Sequence, residues 1–594
     1  MTARYIAFVA CGPGREAPAP PDPTALGGLG LARVFGDPQC LVLASADAPV
    51  LPIEGGRGVV VGALFDRQRP TAPVRSGDSL LDERAADSAG ESLIEAGFGG
   101  YVAILRGRAP DRRTHVLRDP SGAMPCYRLG VPGGVVLFSD IAPIVQLGLL
   151  SPDLDPVFLV HHFAFRHLRA RRTGLAGVRE LLAGVRLTLG PDGCEETCVW
   201  SPWRFAAWAA APMARPAAVE AVRRTVCACV EAWASSADQI LLELSGGLDS
   251  SIVAAALKAR ADRVTCVTLY APNAGGDERR FAERTARAVG LRLVAAPLSV
   301  EAVDVTRPPA ILQPRPGLGA LQQAADEAFL AQAERLGVDA FFGGGGGDNV
   351  FCYLTTAAPV LDAWRAHGPD ATTRRAVADL AALHDCAEAR VVWLALKKLL
   401  RGPPPRWRRD LRFLTPEAAE IAPEPHPWLD RPPRAAAGKV EHIASLMQIQ
   451  TAPDGKARQL YAPVRHPLLA QPLVELCLSL PSWMWIAGGR NRSLAREAFE
   501  GLLPAEVLQR RTKGEFVTYS GQIYAANRHR LADFLLGGWL DRAGVIDRSA
   551  VEAYLANPAP PSDPDFFRLL EMAGVEAWAR AWSAGAGGAL RRTE

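Results

Sequence analysis

The residues of this chain best placed to do chemistry lie in one short run, Ser245-Gly246-Gly247-Leu248-Asp249-Ser250-Ser251. Adjacent glycines let a backbone turn sharply and come close to a ligand. A helix starting just after them would offer unpaired N–H groups and the positive end of its dipole. Together these make an anion site suited to nucleotide phosphates, lined by the chain from Leu244 to Gly247 and by the hydroxyls of Ser245, Ser250 and Ser251. Asp249 is a carboxylate inside that site, which makes sense when a cation lies between; Mg²⁺ commonly takes one or two carboxylates plus phosphate oxygens. The run is not a P-loop, because no Gly-Lys-Ser/Thr follows. A second segment, Gly343 to Gly347 followed by Asp348, has the same logic. Gly343 and Gly344 are expected against the nucleotide and Asp348 as a second metal ligand. A flexible linker is the alternative, but linkers rarely sit between an apolar strand and an acidic residue followed by apolar ones.

Elements must hold these runs in place. Residues 239–244 and 339–342 read as apolar strands leading into the two loops, with further strands at 264–269 and 291–297 and helices at 250–260 and 277–289. Such alternation predicts a parallel sheet with right-handed crossovers, an α/β nucleotide-binding unit. Before it, short strands such as 101–105, 114–117 and 134–138, cut by Gly and Pro, predict a β-rich layered domain over residues 1–205. A long helix from 217 to 235 opens the second unit, 216–584, whose later part is mostly helical. The stretch Gly402 to Asp410 cannot continue a helix; it reads as an exposed loop with solvated charges or as a docking or substrate-covering loop. Residues 585–594 are Gly-rich and predict a disordered tail.

Composition bounds the function. The 594 residues carry 66 basic and 63 acidic side chains, a net charge of +3, too near neutral for a general nucleic-acid binder. No stretch approaches eighteen uninterrupted apolar residues, so no membrane partner is expected. The eleven cysteines lack zinc or C-x-x-C spacing and read as reduced, mostly buried thiols. The amino terminus lacks an h-region, and a cytoplasmic setting is the expectation.

The runs Ser245 to Ser251, Gly343 to Asp348 and Arg510-Arg511-Thr512-Lys513-Gly514 resemble the asparagine synthetase superfamily of ATP pyrophosphatases. Leu117 to Tyr127 with Leu137 to Ile141 is similar to the superfamily's amino-terminal glutamine amidotransferase domain, an Ntn-type layered fold, and Tyr461 to Leu469 to its Arg-x-Pro segment. The departures narrow the resemblance. Residue 2 is Thr where a working glutaminase has a Cys nucleophile, which implies a degenerate domain and a substrate that supplies its own amine. Gly345 stands where β-lactam synthetases carry a catalytic Tyr, Asn349 where asparagine synthetases usually carry Glu, and the segment as a whole most resembles lasso peptide cyclases.

The resemblance implies an ATP-dependent, AMP-forming carbon–nitrogen ligase. An Asp or Glu side chain of a leader-free core peptide is adenylated and joined to the peptide's amino terminus, with ATP and Mg²⁺ required. Lys513 matches the lysine that stabilises the later transition state, Arg492 stands where a second cation is expected, and Glu441 matches a catalytic Glu by its place in a helix ahead of Arg465-x-Pro467. A leader peptidase and a leader-binding protein are the implied partners. A β-lactam synthetase, an ammonia-dependent asparagine synthetase and a nucleotide-binding scaffold without chemistry remain the alternatives.

Overall fold

The strand Tyr5–Ala10 is apolar at every position, so both of its faces must be covered. Tyr5, Ala7 and Val9 point one way and join Val59, Val61, Val102 and Ile104 in a shared apolar layer, while Ile6 and Phe8 point the other way, as the two-residue period of a strand requires. The computed structural model describes residues 3–18, 23–108, 113–207, 213–271, 277–401, 407–450, 455–511, 516–556 and 565–584. In it the amino-terminal unit is two six-stranded antiparallel sheets packed through that layer. The strands expected at 101–105, 114–117 and 134–138 appear as Gly97–Arg106, Thr114–Arg118 and Gly134–Phe138.

The helix Arg215–Ala234 leads into a five-stranded parallel sheet. Its spatial order is Arg292–Pro297, Val264–Tyr270, Ile240–Glu243, Ala340–Gly343 and Val464–Arg465. The chain starts at the central strand, runs outward one way and then returns to the other side. Ile240–Glu243 and Ala340–Gly343 therefore flank a topological switch point, where crossovers leave in opposite directions and open a crevice at the carboxyl ends of the strands. The fifth strand is a two-residue edge supplied from deep in the helical region, which sequence patterning had not marked as a strand.

The two units share one apolar core, with the Phe65 and Trp233 rings 5.2 Å apart across the junction. Arg67 grips Glu475 at 2.6 and 3.0 Å, and the Trp200 indole donates to the same carboxylate at 2.8 Å. Deeper in, the fully buried Glu180 accepts from Arg118, Arg169 and Arg315, each at 2.7 Å. Burial alone would raise its pKa, but the three guanidiniums hold it far below the usual carboxylate range.

The stretch at 402–410 meets the exposed-loop reading at Arg408 and Arg409, which are exposed, and departs from it on either side. Residues 402–406 lie outside the described residues, but Trp407 is buried, its indole donates to Arg166 O at 3.0 Å, and Asp410 N donates to Ala164 O at 2.8 Å. Arg409 donates to the carbonyls of Ala419 and Ile421 at 2.6 and 2.7 Å. The described part is a tether to the amino-terminal unit. Thr2, Lys513 and the tail 585–594 also lie outside the described residues. Among those described, no helix is long and apolar enough to cross a membrane.

Candidate active site

The loop after Ile240–Glu243 closes through its own hydroxyls. Ser245 Oγ lies 3.1 Å from Ser250 Oγ, Ser245 N donates to Ser250 Oγ at 3.2 Å, and Gly247 N approaches Ser245 Oγ at 3.4 Å. Gly246 sits at φ 71°, a conformation that favours glycine, and Gly247 caps the helix Leu248–Ala256 with no side chain on its N–H groups. A helix start capped in this way leaves N–H groups of the kind an anion site needs. Arg510 clamps the turn from outside, donating to Gly246 O at 3.4 Å, pairing with Glu278 and stacking 4.1 Å over the Phe281 ring.

The glycines after Ala340–Gly343 are also required by packing within the protein. A Cβ on Gly344 would stand 2.4 Å from Ser250 N, and one on Gly347 2.4 Å from Asp249 Cγ. At these two positions the first loop leaves no room for a side chain, so the two runs form one surface, while a Cβ on Gly346 would meet Leu469 Cδ2 at 2.4 Å. A Cβ on Gly345 would meet His466 Nδ1 at 2.6 Å.

This contact brings the predicted carboxylates together. Arg492 Nη1 donates to Asp249 Oδ1 at 3.0 Å and Oδ2 at 3.3 Å, and the same nitrogen pairs with Asp348 Oδ1. One cationic atom thus touches both side chains. Asp249 and Asp348 are the residues that would hold a divalent cation beside a bound phosphate. The guanidinium also lies 5.2 Å from the Tyr353 ring. Nearby, burial and the neighbouring Arg492 and Arg490 pull Arg496 down to about 10, leaving it charged at neutral pH.

Glu441 lies on the helix Ala437–Ile449, which is fastened to the Asp348 turn because Asn349 Nδ2 donates to both Ser445 O and Ser445 Oγ at 2.8 Å. Its carboxylate accepts from Thr356 Oγ1 at 2.6 Å and from Lys398 Nζ. Glu441 is therefore held between a hydroxyl and an ammonium rather than left to solvent. Two expected positions fall elsewhere. Ser251 is fully buried with its hydroxyl 3.2 Å from Thr285 Oγ1, because it lies on the packed face of its helix. The Leu244 side chain is likewise buried in the core, so only its backbone borders the loop. Sequence reading missed Lys398, Thr356, Tyr353, Ser445 and His466. His466 lies inside the Tyr461 to Leu469 run already singled out, and Tyr353 is an aromatic five residues past Asp348; the other three left no local signal.

No curated protein matches the chain in sequence. Among solved structures, it is similar to a glutamine phosphoribosylpyrophosphate amidotransferase from B. subtilis complexed with ADP and GMP, at 11% identity and a TM-score of 0.21, covering 50% of this chain and 65% of that one. This match spans less than two thirds of the amidotransferase's length. It is also similar to the structure described as the allosteric regulatory enzyme of purine biosynthesis, at 10% identity and a TM-score of 0.21, covering 58% and 89%. The family model for asparagine synthase matches residues 221–580, a span that contains Asp249, Asp348, Glu441 and Arg492 and exceeds half of the chain. The protein belongs to the asparagine synthase family, a family of ATP-dependent amide ligases.

Proposed function

We propose that the protein is a macrolactam synthetase of the lasso-peptide type, which joins an Asp or Glu side chain of a core peptide to that peptide's amino terminus. The observation that carries this reading is the crowding at Gly345: the His466 ring fills the place of any side chain there. A tyrosine like that of β-lactam synthetases has no room, which disfavours that alternative. Asn349, committed to Ser445, likewise supports a departure from asparagine synthetases.

The substrate carboxylate attacks the α-phosphorus of ATP, the α–β bridging bond breaks, and pyrophosphate leaves. The N–H groups at Gly247 to Asp249 and the hydroxyls of Ser245 and Ser250 hold the departing phosphates. Asp249 and Asp348 would hold Mg²⁺, which when bound neutralises phosphate charge. The peptide's own amine then attacks the acyl carbon, and AMP leaves. We assign the amine's proton to Glu441, and the later charge to Arg492 and Lys513. Holding the folded peptide with amine and carbonyl in contact accounts for much of the rate. A leader peptidase and a leader-binding protein would deliver the core peptide, in the cytoplasm.

The test is incubation with ATP, Mg²⁺ and a linear core peptide encoded beside this chain. The expected product is lighter than the peptide by one water, with AMP and pyrophosphate released in equal amount, and Asp249→Ala abolishes both. Amide formation with free ammonia but not with the peptide amine would sink the reading.

A further inference from the structure

The chain turns sharply just after Asp348. Tyr353 N donates to Asp348 O at 3.0 Å, and Cys352, between them, holds a φ of 51°. Left-handed backbone at a residue other than glycine costs energy and persists only where the surroundings impose it, above all at functional sites. Among the described residues seven are of this kind, and two of them serve this one place: Cys352 turns the chain, and Arg492, at φ 52°, lies against the ring of the next residue, Tyr353.

That ring is oddly placed for a core aromatic. Phe351, two residues earlier, is fully buried 6.1 Å from the Trp485 ring and anchors the turn, whereas Tyr353 remains 43% exposed. Its centroid is nevertheless 5.2 Å from the Arg492 guanidinium, one nitrogen of which touches both Asp249 and Asp348. Three residues further on, the Thr356 hydroxyl holds Glu441. The segment 348–356 therefore carries a site carboxylate, an uncovered aromatic ring and the hydroxyl that fixes Glu441, in that order.

An acyl adenylate at such a site has two fates. The substrate amine attacks the acyl carbon, the bond from that carbon to the AMP oxygen breaks and an amide forms; or water attacks the same carbon, the same bond breaks and the free carboxylate returns with AMP lost. A flat apolar side chain beside the charged groups takes up space that water would occupy and offers a large surface to the acyl group. We propose that the Tyr353 ring is one wall of the pocket in which amine and acyl group meet, packing on the acyl group and keeping water from it. The proposal deepens the reading above and rests on its adenylate chemistry.

The measurement is the coupling ratio, amide formed per pyrophosphate released, with ATP, Mg²⁺ and the linear core peptide encoded beside this chain. Tyr353→Ala is expected to lower the ratio about tenfold while pyrophosphate release persists, because the adenylate is then lost to water. Tyr353→Phe, which keeps the ring, restores the ratio. Tyr353→Val gives the same reading should the alanine variant not fold. A parental ratio in Tyr353→Ala overturns the proposal. So does a parallel loss of amide and pyrophosphate, which would mean that the ring only holds Arg492 in place, and so does a phenylalanine variant as uncoupled as the alanine one, which would give the role to the hydroxyl. Wall and substrate can fail separately. If the parent makes amide only from free aspartate and ammonium chloride, the macrolactam reading falls and the ratio of that reaction still tests Tyr353. Ring closure of the peptide with a ratio indifferent to the aromatic ring does the reverse.

Discussion

Arg492 is a non-glycine residue at φ 52°, a backbone position that costs energy and persists only where the surroundings impose it. Its guanidinium sets one positive charge between two carboxylates that would otherwise repel each other, and on the proposed function a divalent cation held by Asp249 and Asp348 would compete with it. Hydrogen bonds to charged groups contribute about 1.5–3 kcal/mol each. Arg492→Ala should therefore bind Mg²⁺ about tenfold more tightly than the parent in nucleotide-free calorimetry, yet turn over more slowly because the later negative charge loses its partner. Weaker Mg²⁺ binding in the variant would show that the arginine organises the carboxylates and does not compete for them. Asp249 and Asp348 were legible in the sequence because each follows a glycine turn at the end of an apolar strand, and a carboxylate there is chemically odd. The partner of Glu441 was not legible: Lys398 lies 43 residues away, and nothing local to either residue signals the meeting.

At the scale of elements, the site depends on how the helix Ala437–Ile449 is joined to the turn bearing Asp348. Asn349 makes that joint from the turn's side, and His442 Nε2, 3.0 Å from Val350 O, makes it from the helix's side. Asn349→Ala leaves Ser445 Oγ and its carbonyl without that donor, at a cost of about 1–3 kcal/mol. Because the helix carries Glu441, the loss should lower kcat more than it raises the KM for ATP, and Ser445→Ala, which keeps the bond to the carbonyl, should do less. Equal effects on ATP affinity and turnover would mean that the joint serves the nucleotide only. The strands of the parallel sheet were legible because each is an apolar run bounded by turn residues. The strand Val464–Arg465 was not, since two residues carry no period. The helix Glu388–Leu400 shows a third case: periodicity reveals that an apolar stripe exists, but which side the body of the protein lies on is decided by the neighbouring helices Ala358–His367 and Ala371–His384.

The whole molecule is held across its two units by groups that water would otherwise solvate, and this makes its stability depend on pH. His161, His426 and His442 are buried, and burial, the largest cause in each, pulls them down to about 4, 3 and 3 from 6.5. The unfolded chain binds those protons near pH 6.5 and the folded chain does not, so their contribution is complete above 6.5 and is lost as pH falls. Asp119 and Asp362 oppose this, since burial raises both to about 6 from 3.8; their contribution is complete below 3.8 and is lost as pH rises to about 6. Near pH 5 the three histidines and two carboxyls leave the unfolded chain holding about one more proton, a slope of about 1.4 kcal/mol per pH unit. The Glu180 cluster adds the same sign below the usual glutamate range, because three arginines keep its carboxylate charged in the fold. Urea unfolding should therefore show lower stability at pH 5 than at pH 7, a fall to which His162, pulled down to about 3 by burial, and His466 add, with little change between pH 7 and 8 from these groups. Replacing His442 with Gln should flatten the slope between pH 5 and 7, even if the variant is less stable throughout. A profile that is level, or that rises toward acid, would mean these histidines accept protons in the folded state and that the burial assigned to them is wrong.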